Sequence, residues 1–153
     1  MTGWLLIHLV GVVLSIGNFI VTAFWKIRAD RQKDPHVVLH SVKNVMLADY
    51  IFTLPGIIFI LISGLAMAIK AGMPMSGFNW FTLSLILFGL TGILWLFILI
   101  PVQRKMIKHA SKSVENGQLG TEYKKSSLHW AIAGSIATIL PIVIMYFMIM
   151  KPL

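Results

Sequence analysis

His8 is the residue of this sequence best placed to do chemistry. It lies inside an apolar tract, where a histidine is costly, faces protein or a cavity, and requires a partner. Three roles suit it: an axial ligand to haem, a redox-linked proton site, or a neutral imidazole hydrogen-bonded to a neighbouring helix. Methionine is the other soft ligand available. Met1, Met67, Met73, Met75, Met145, Met148 and Met150, seven of the nine methionines, fall in one half of the expected membrane region. A His/Met pair suits haem iron, and thioethers with an imidazole suit Cu(I); methionine also serves as a flexible filler of helix interfaces. The chain has no cysteine, which excludes disulfides, thiolate zinc sites and cysteine nucleophiles. The candidate residues are therefore His8, Ser15, Asn18, Met67 and Met148 around a haem b, and His8, Met73 and Met75 around copper.

Asp49 is the second informative residue, because an unpaired carboxylate at the edge of a membrane helix is expensive. An ion pair with Arg28, Arg104 or Lys105, or a contact with the polar end of the first helix, is expected, with Thr53 as a polar neighbour on its own helix. The ion pair is preferred over a proton relay. His36 and His40 stand four apart on an expected helix, a spacing that can present two imidazoles to one metal. No glutamate follows His36, and only Asp34 or His109 could add a third ligand, so a solvated face is the better reading. No nucleophile elbow, phosphate-binding glycine loop or carboxylate pair occurs, and no catalytic residue is assigned.

The elements that must position these residues follow from composition. Of 153 residues 58% are hydrophobic and 12% charged, with mean hydropathy +0.85. Four tracts carry no Asp, Glu, Lys or Arg: Met1–Trp25, Tyr50–Ile69, Ala71–Gln103 and Ser126–Met150. Each is long enough to cross a bilayer core, which takes about 20 apolar residues as a helix. The expected fold is all-α, an integral membrane four-helix antiparallel bundle with both termini outside, in a single transmembrane domain over 1–153. Its helices are expected over about 4–25, 35–69 with the membrane part from about 48, 78–102 and 128–150.

The net charge of +8 resides in two loops: 11 of the 13 Lys and Arg residues lie in the links between tracts one and two and between tracts three and four. By the positive-inside rule both links face the cytoplasm. The charge is thus a topology label, and no nucleic-acid partner is expected.

Within the first helix, His8, Gly11, Ser15, Asn18 and Thr22 recur at steps of three and four and share one face. A second stripe, Asp49, Thr53, Gly56, Ile60, Ser63 and Met67, marks the second helix. Both should face protein, since polar groups turned to lipid go unsatisfied. Asp34-Pro35 reads as an N-cap followed by proline at the first helical position. Pro55 and Pro141 are expected to kink their helices. Gly11/Ser15, Gly64/Ala68 and Ala133/Ala137 are small pairs that allow close helix approach in lipid.

In order and spacing, the chain resembles a bacterial family of predicted four-helix integral-membrane proteins of unknown function. The residues that carry the likeness are Leu5-Leu6-Ile7-His8, Ala48-Asp49-Tyr50-Ile51-Phe52-Thr53-Leu54-Pro55, Ser63-Gly64-Leu65, Trp95 through Met106, Trp130 and Met150-Lys151-Pro152. More distantly it resembles the HemJ-type protoporphyrinogen oxidases and the CopD-type copper-resistance membrane domains. That likeness rests on a histidine early in helix one, a proline and a Gly-Leu pair in helix two, a tryptophan opening helix three, and a Lys-Pro ending. It implies haem binding at His8. It does not extend to the lysine those oxidases carry after the helix-three tryptophan, where this chain has Thr82, Leu83 and Ser84. The expectations are a haem-binding protein of the bacterial inner membrane with a redox or haem-linked role, a non-catalytic membrane subunit or assembly factor, or an outer-face copper binder. Lipid is the expected surround, with a homo-oligomer or larger membrane complex as the possible assembly.

Overall fold

The computed structural model describes residues 1–152, which form four long helices packed antiparallel. They are α1 (Thr2–Arg31), α2 (Pro35–Lys70), α3 (Trp80–Asn116) and α4 (Thr121–Met150). All four are long and apolar enough to cross a membrane. At 1.5 Å per residue α3 is about 55 Å long, far beyond a hydrocarbon core of roughly 30 Å. Charge-free tracts mark only the part of each helix that lipid can hold. That is why α1 runs six residues past Trp25, and why α4 begins five residues before Ser126. The helices end where the backbone turns left-handed, at Lys33 (φ 57°) after α1 and Gly117 (φ 77°) after α3.

Caps define the starts. The Asp34 side chain accepts the His36 backbone N–H at 3.0 Å, and Pro35 occupies the first position of α2. The Asn79 side chain accepts the N–H groups of Phe81 and Thr82 at 3.0 Å each, while Thr82 Oγ1 accepts from the Asn79 N–H at 3.2 Å. Thr82 thus closes a capping box at the head of α3.

Two wide turns interrupt the ladder, Asp49–Thr53 in α2 and Trp95–Leu99 in α3. In each, a backbone N–H reaches back five residues, from Leu54 to the Asp49 carbonyl and from Ile100 to the Trp95 carbonyl. A proline follows at once, Pro55 or Pro101. A proline ring collides with the carbonyl one turn earlier and offers no N–H to it, and a π-turn gives that carbonyl room. The bend expected at Pro55 therefore takes the form of a widened turn. Pro101 has the same device, inside a helix that continues past the expected limit of about 102. Pro141 sits in unbroken α-helix.

The two chain termini lie at one end of the bundle and the basic links at the other. Buried apolar side chains concentrate toward the basic end, where Val38, Val42 and Val45 of α2 meet Trp95, Leu99, Ile100, Met106 and Ala110 of α3, with Tyr123, Trp130, Ala133 and Ala137 of α4. Toward the terminal end, α1 packs on the second half of α2 and α4 on the first half of α3. There each helix lies closer to its own partner than to the other pair. Large apolar side chains such as Leu6, Val13, Ile86, Phe97 and Ile149 are exposed, the pattern of helices solvated by lipid.

Candidate functional site

The two polar stripes meet as one seam between α1 and α2. At its centre the backbones touch: a Cβ on Gly11 would come within 2.7 Å of the Gly56 carbonyl oxygen, and one on Gly56 within 2.8 Å of the Gly11 carbonyl oxygen. Only glycine at both positions permits this approach. Ser15, beside the contact, is buried and turns its hydroxyl to the Gly11 carbonyl at 2.9 Å.

Toward the terminal end of the seam, His8 Nδ1 lies 3.0 Å from Ser63 Oγ. The single Ser63 hydroxyl proton is committed to its own helix, where the carbonyls of Phe59 and Ile60 accept it. With the hydroxyl so placed the serine oxygen accepts from the imidazole, which assigns the His8 proton to Nδ1 and a lone pair to Nε2. Gly64 lies against the same ring, with a Cβ there falling 3.3 Å from His8 Cε1. His8 is half-buried; the Ile60 backbone lies within reach of its ring, and no side chain among the described residues bonds Nε2.

Toward the basic end lies Asp49, where the structure corrects the expected ion pair. Arg28, Arg104 and Lys105 do not reach it. Asn18 Nδ2 donates to Asp49 Oδ1 at 3.0 Å, Thr53 Oγ1 donates to the same oxygen at 3.0 Å, and Gln103 Nε2 donates to Oδ2 at 2.7 Å. Asn18 Nδ2 also reaches Thr53 Oγ1 at 2.9 Å. The other expected partner, the polar end of the first helix, is thus the one the carboxylate takes. Neutral donors from three helices hold it, because the wide turn at Asp49–Thr53 aims it between α1 and α3 and away from the basic links. The indole of Trp95, at the start of the other wide turn, comes close without completing a hydrogen bond.

A second polar cluster escaped sequence reasoning. Lys26, 1% exposed, pairs with Asp30 at 2.6 Å, takes the Ser127 hydroxyl, and lies 5.6 Å and 5.0 Å from the ring centres of Tyr123 and Trp130. Tyr123 donates to Asp30 Oδ1 at 2.5 Å. The cluster fastens the end of α1 to the start of α4. Its signal, a lysine four residues before an aspartate, lies within a run of other basic residues and reads as surface.

The remaining candidates are scattered. Met67 is half-buried one turn beyond Ser63, and Met148 is half-buried at the far end of α4, in the other helix pair. Met73 and Met75 lie in the 71–79 turn, Met75 exposed. None of these four sulfurs comes within hydrogen-bonding reach of His8 among the described residues. His36 and His40 are exposed, His40 beside Asn44, and His109 lies 3.2 Å from Glu122. No group of three His, Asp or Glu side chains able to hold a metal occurs among the described residues.

His8 fits an axial haem ligand as a donor: neutral, oriented through Nδ1, bare at Nε2. A macrocycle does not fit inside the seam itself, because Gly11, Gly56 and Gly64 bring the helices into contact there. Any haem on Nε2 must sit beside the seam, with a second ligand that the seam does not supply.

The model of the predicted integral membrane proteins DUF2269 matches residues 4–152. The chain belongs to this family. No curated protein and no solved structure matches it significantly. As a DUF2269 member it is an integral membrane protein that crosses the bilayer several times, and both polar centres lie within the matched length.

Proposed function

We propose that this protein is a b-type haem-binding protein of the bacterial inner membrane, with His8 as axial ligand near the outer surface. Both basic links then lie in the cytoplasm and both termini outside. The observation that carries the reading is the lone pair on His8 Nε2, left bare because Ser63 spends its only proton on its own helix. A histidine needed only for packing inside a membrane helix would be expected to use both ring nitrogens. Haem would supply one-electron transfer. The chain's own residues supply the rest: Ser63 fixes the tautomer and ring direction, Gly64 permits the close seat, and the glycine contact below keeps water out of the seam.

The test is a reduced-minus-oxidised spectrum of detergent-purified protein after haem supplementation. A Soret band lost in His8→Ala is expected, with haem held roughly 10–100-fold more weakly in Ser63→Ala, the usual effect of removing a partner that orients a ligand. No band, or an unchanged one in His8→Ala, overturns the reading. Copper is the other metal that this lone pair accepts. Cu(I) affinity lost in a Met73/Met75 double substitution, with no haem band, would move the site to the outer-face copper reading.

A second reading, a non-catalytic subunit or assembly factor, is favoured by one observation: the helices expose many large apolar side chains, among them Leu6, Val13, Phe97 and Ile149, to which another membrane helix could pack. It predicts copurification of a larger membrane complex and no cofactor.

A further inference from the structure

At the basic end a cleft of about 390 Å³ opens between the end of α1 and the start of α4, apart from the polar seam. Asp30, Lys33, Gln118, Tyr123, Lys124 and Ser127 line it. Its volume lies within the range of small-ligand sites, about 300–1,000 Å³. The charges in it are unequally committed. Both oxygens of Asp30 are taken, Oδ1 by Tyr123 and Oδ2 by Lys26 and Ser127. The Lys26 ammonium behind it cancels the carboxylate. Lys33 and Lys124 make no ion pair among the described residues. The cleft therefore presents two uncompensated ammonium groups to whatever enters.

Lys33 adds a backbone argument. It is held at φ 57°, in the left-handed region, with its N–H donating to the Asp30 carbonyl at 3.2 Å. Glycine or asparagine closes a helix in this conformation with less strain. A lysine kept there roots an ammonium group at the rim of the cleft, and strained backbone of this kind gathers at ligand clamps.

We propose that this cleft binds a phosphate-bearing anion, clamped between Lys33 and Lys124, with Gln118 as a further hydrogen-bonding group. Such an anion has two sources, the headgroup of an anionic lipid or a soluble phosphate compound. Basic pockets between membrane helices at the positively charged face take headgroups. The exposed ring of Trp25 lies at the same end of α1, as rings do at headgroup level.

The experiment compares the intact protein with K33N/K124Q and with K105Q/K108Q, which loses the same charge outside the cleft. Each is placed in phosphatidylcholine nanodiscs containing a minority of phosphatidylglycerol, and retained lipid is counted by native mass spectrometry. A lysine near an anionic surface contributes about 1 kcal/mol, or roughly fivefold, so the double change should weaken retention by about 20–30-fold. K105Q/K108Q should retain the lipid as the parent does. K33N relieves the backbone, so thermal unfolding should show no loss of stability that would explain the effect. In pure phosphatidylcholine discs, titration with inorganic phosphate and pyrophosphate tests the soluble source. Saturable binding sensitive to K33N/K124Q, without lipid retention, supports the anion site with a soluble ligand. Equal retention in all three proteins, or neither lipid nor phosphate bound by the parent, overturns the proposal.

Discussion

Asp49 shows how much one side chain can hold in lipid. Its carboxylate is 2% exposed and accepts from Asn18, Thr53 and Gln103, so three helices converge on two oxygen atoms. Asp49→Ala removes the acceptor of all three at once and leaves Asn18 only its bond to Thr53. An unsatisfied buried polar group costs about 1–3 kcal/mol, and water entering the gap recovers part of it. A loss of about 3 kcal/mol in a detergent unfolding titration is expected, against about 1 kcal/mol for Asn18→Ala, which leaves two donors in place. Equal effects would show that the carboxylate is not the hub. The stripe that contains Asn18 was legible because polar residues inside an apolar tract stand out at helical spacing. Gln103 was not legible, since it borders a basic segment where a glutamine looks solvated. The Asp49 ion pair was a reasonable expectation from charge alone, and failed because a wide turn redirects the carboxylate.

At the level of the helices, the α1–α2 contact depends on two glycines facing each other. Gly11→Ala places a methyl group 2.7 Å from the Gly56 carbonyl, inside any allowed separation, so the helices must part. Overpacking of this kind costs about 1–3 kcal/mol. Because His8 and Asn18 lie on the same face one to two turns away, parting also lengthens their bonds to Ser63 and Asp49. Gly11→Ala should therefore lower the unfolding midpoint and disturb any spectrum that depends on His8, whereas Gly17→Ala, where an added Cβ meets nothing within 4 Å, should leave both unchanged. Composition and spacing showed both glycines on their stripes. They did not show the wide turns, because a proline announces only a missing donor. The surrounding packing decides whether the helix ends or widens, and α4 does neither at Pro141.

For the whole molecule, the checkable claim is its orientation. The chain contains no cysteine, so single cysteines report without background. Ser76→Cys, in the turn between α2 and α3, should react with a membrane-impermeant maleimide in intact cells. Lys112→Cys, near the far end of α3, should react only after permeabilisation. The reverse pattern would place the basic links outside and overturn the assignment from charge. The four spans and their order were legible in the charge-free tracts and the two basic links. The reach of α2 beyond the lipid was legible too, from Asp34-Pro35; that of α1, α3 and α4 was not, because hydropathy falls silent where a helix enters water.

The packing of the two helix pairs has a mechanical consequence. Every polar bond between the pairs lies toward the basic end, at Asp49 with Gln103 and at Lys26 and Asp30 with Ser127 and Tyr123. At the terminal end the polar contacts stay inside each pair, His8 with Ser63 and Lys151 over Trp80. The molecule is riveted by polar bonds at the basic end alone. At the terminal end what joins the pairs is apolar contact, which the hydrocarbon of the bilayer can replace without stranding a polar group, so a load that separates the helices should part that end first.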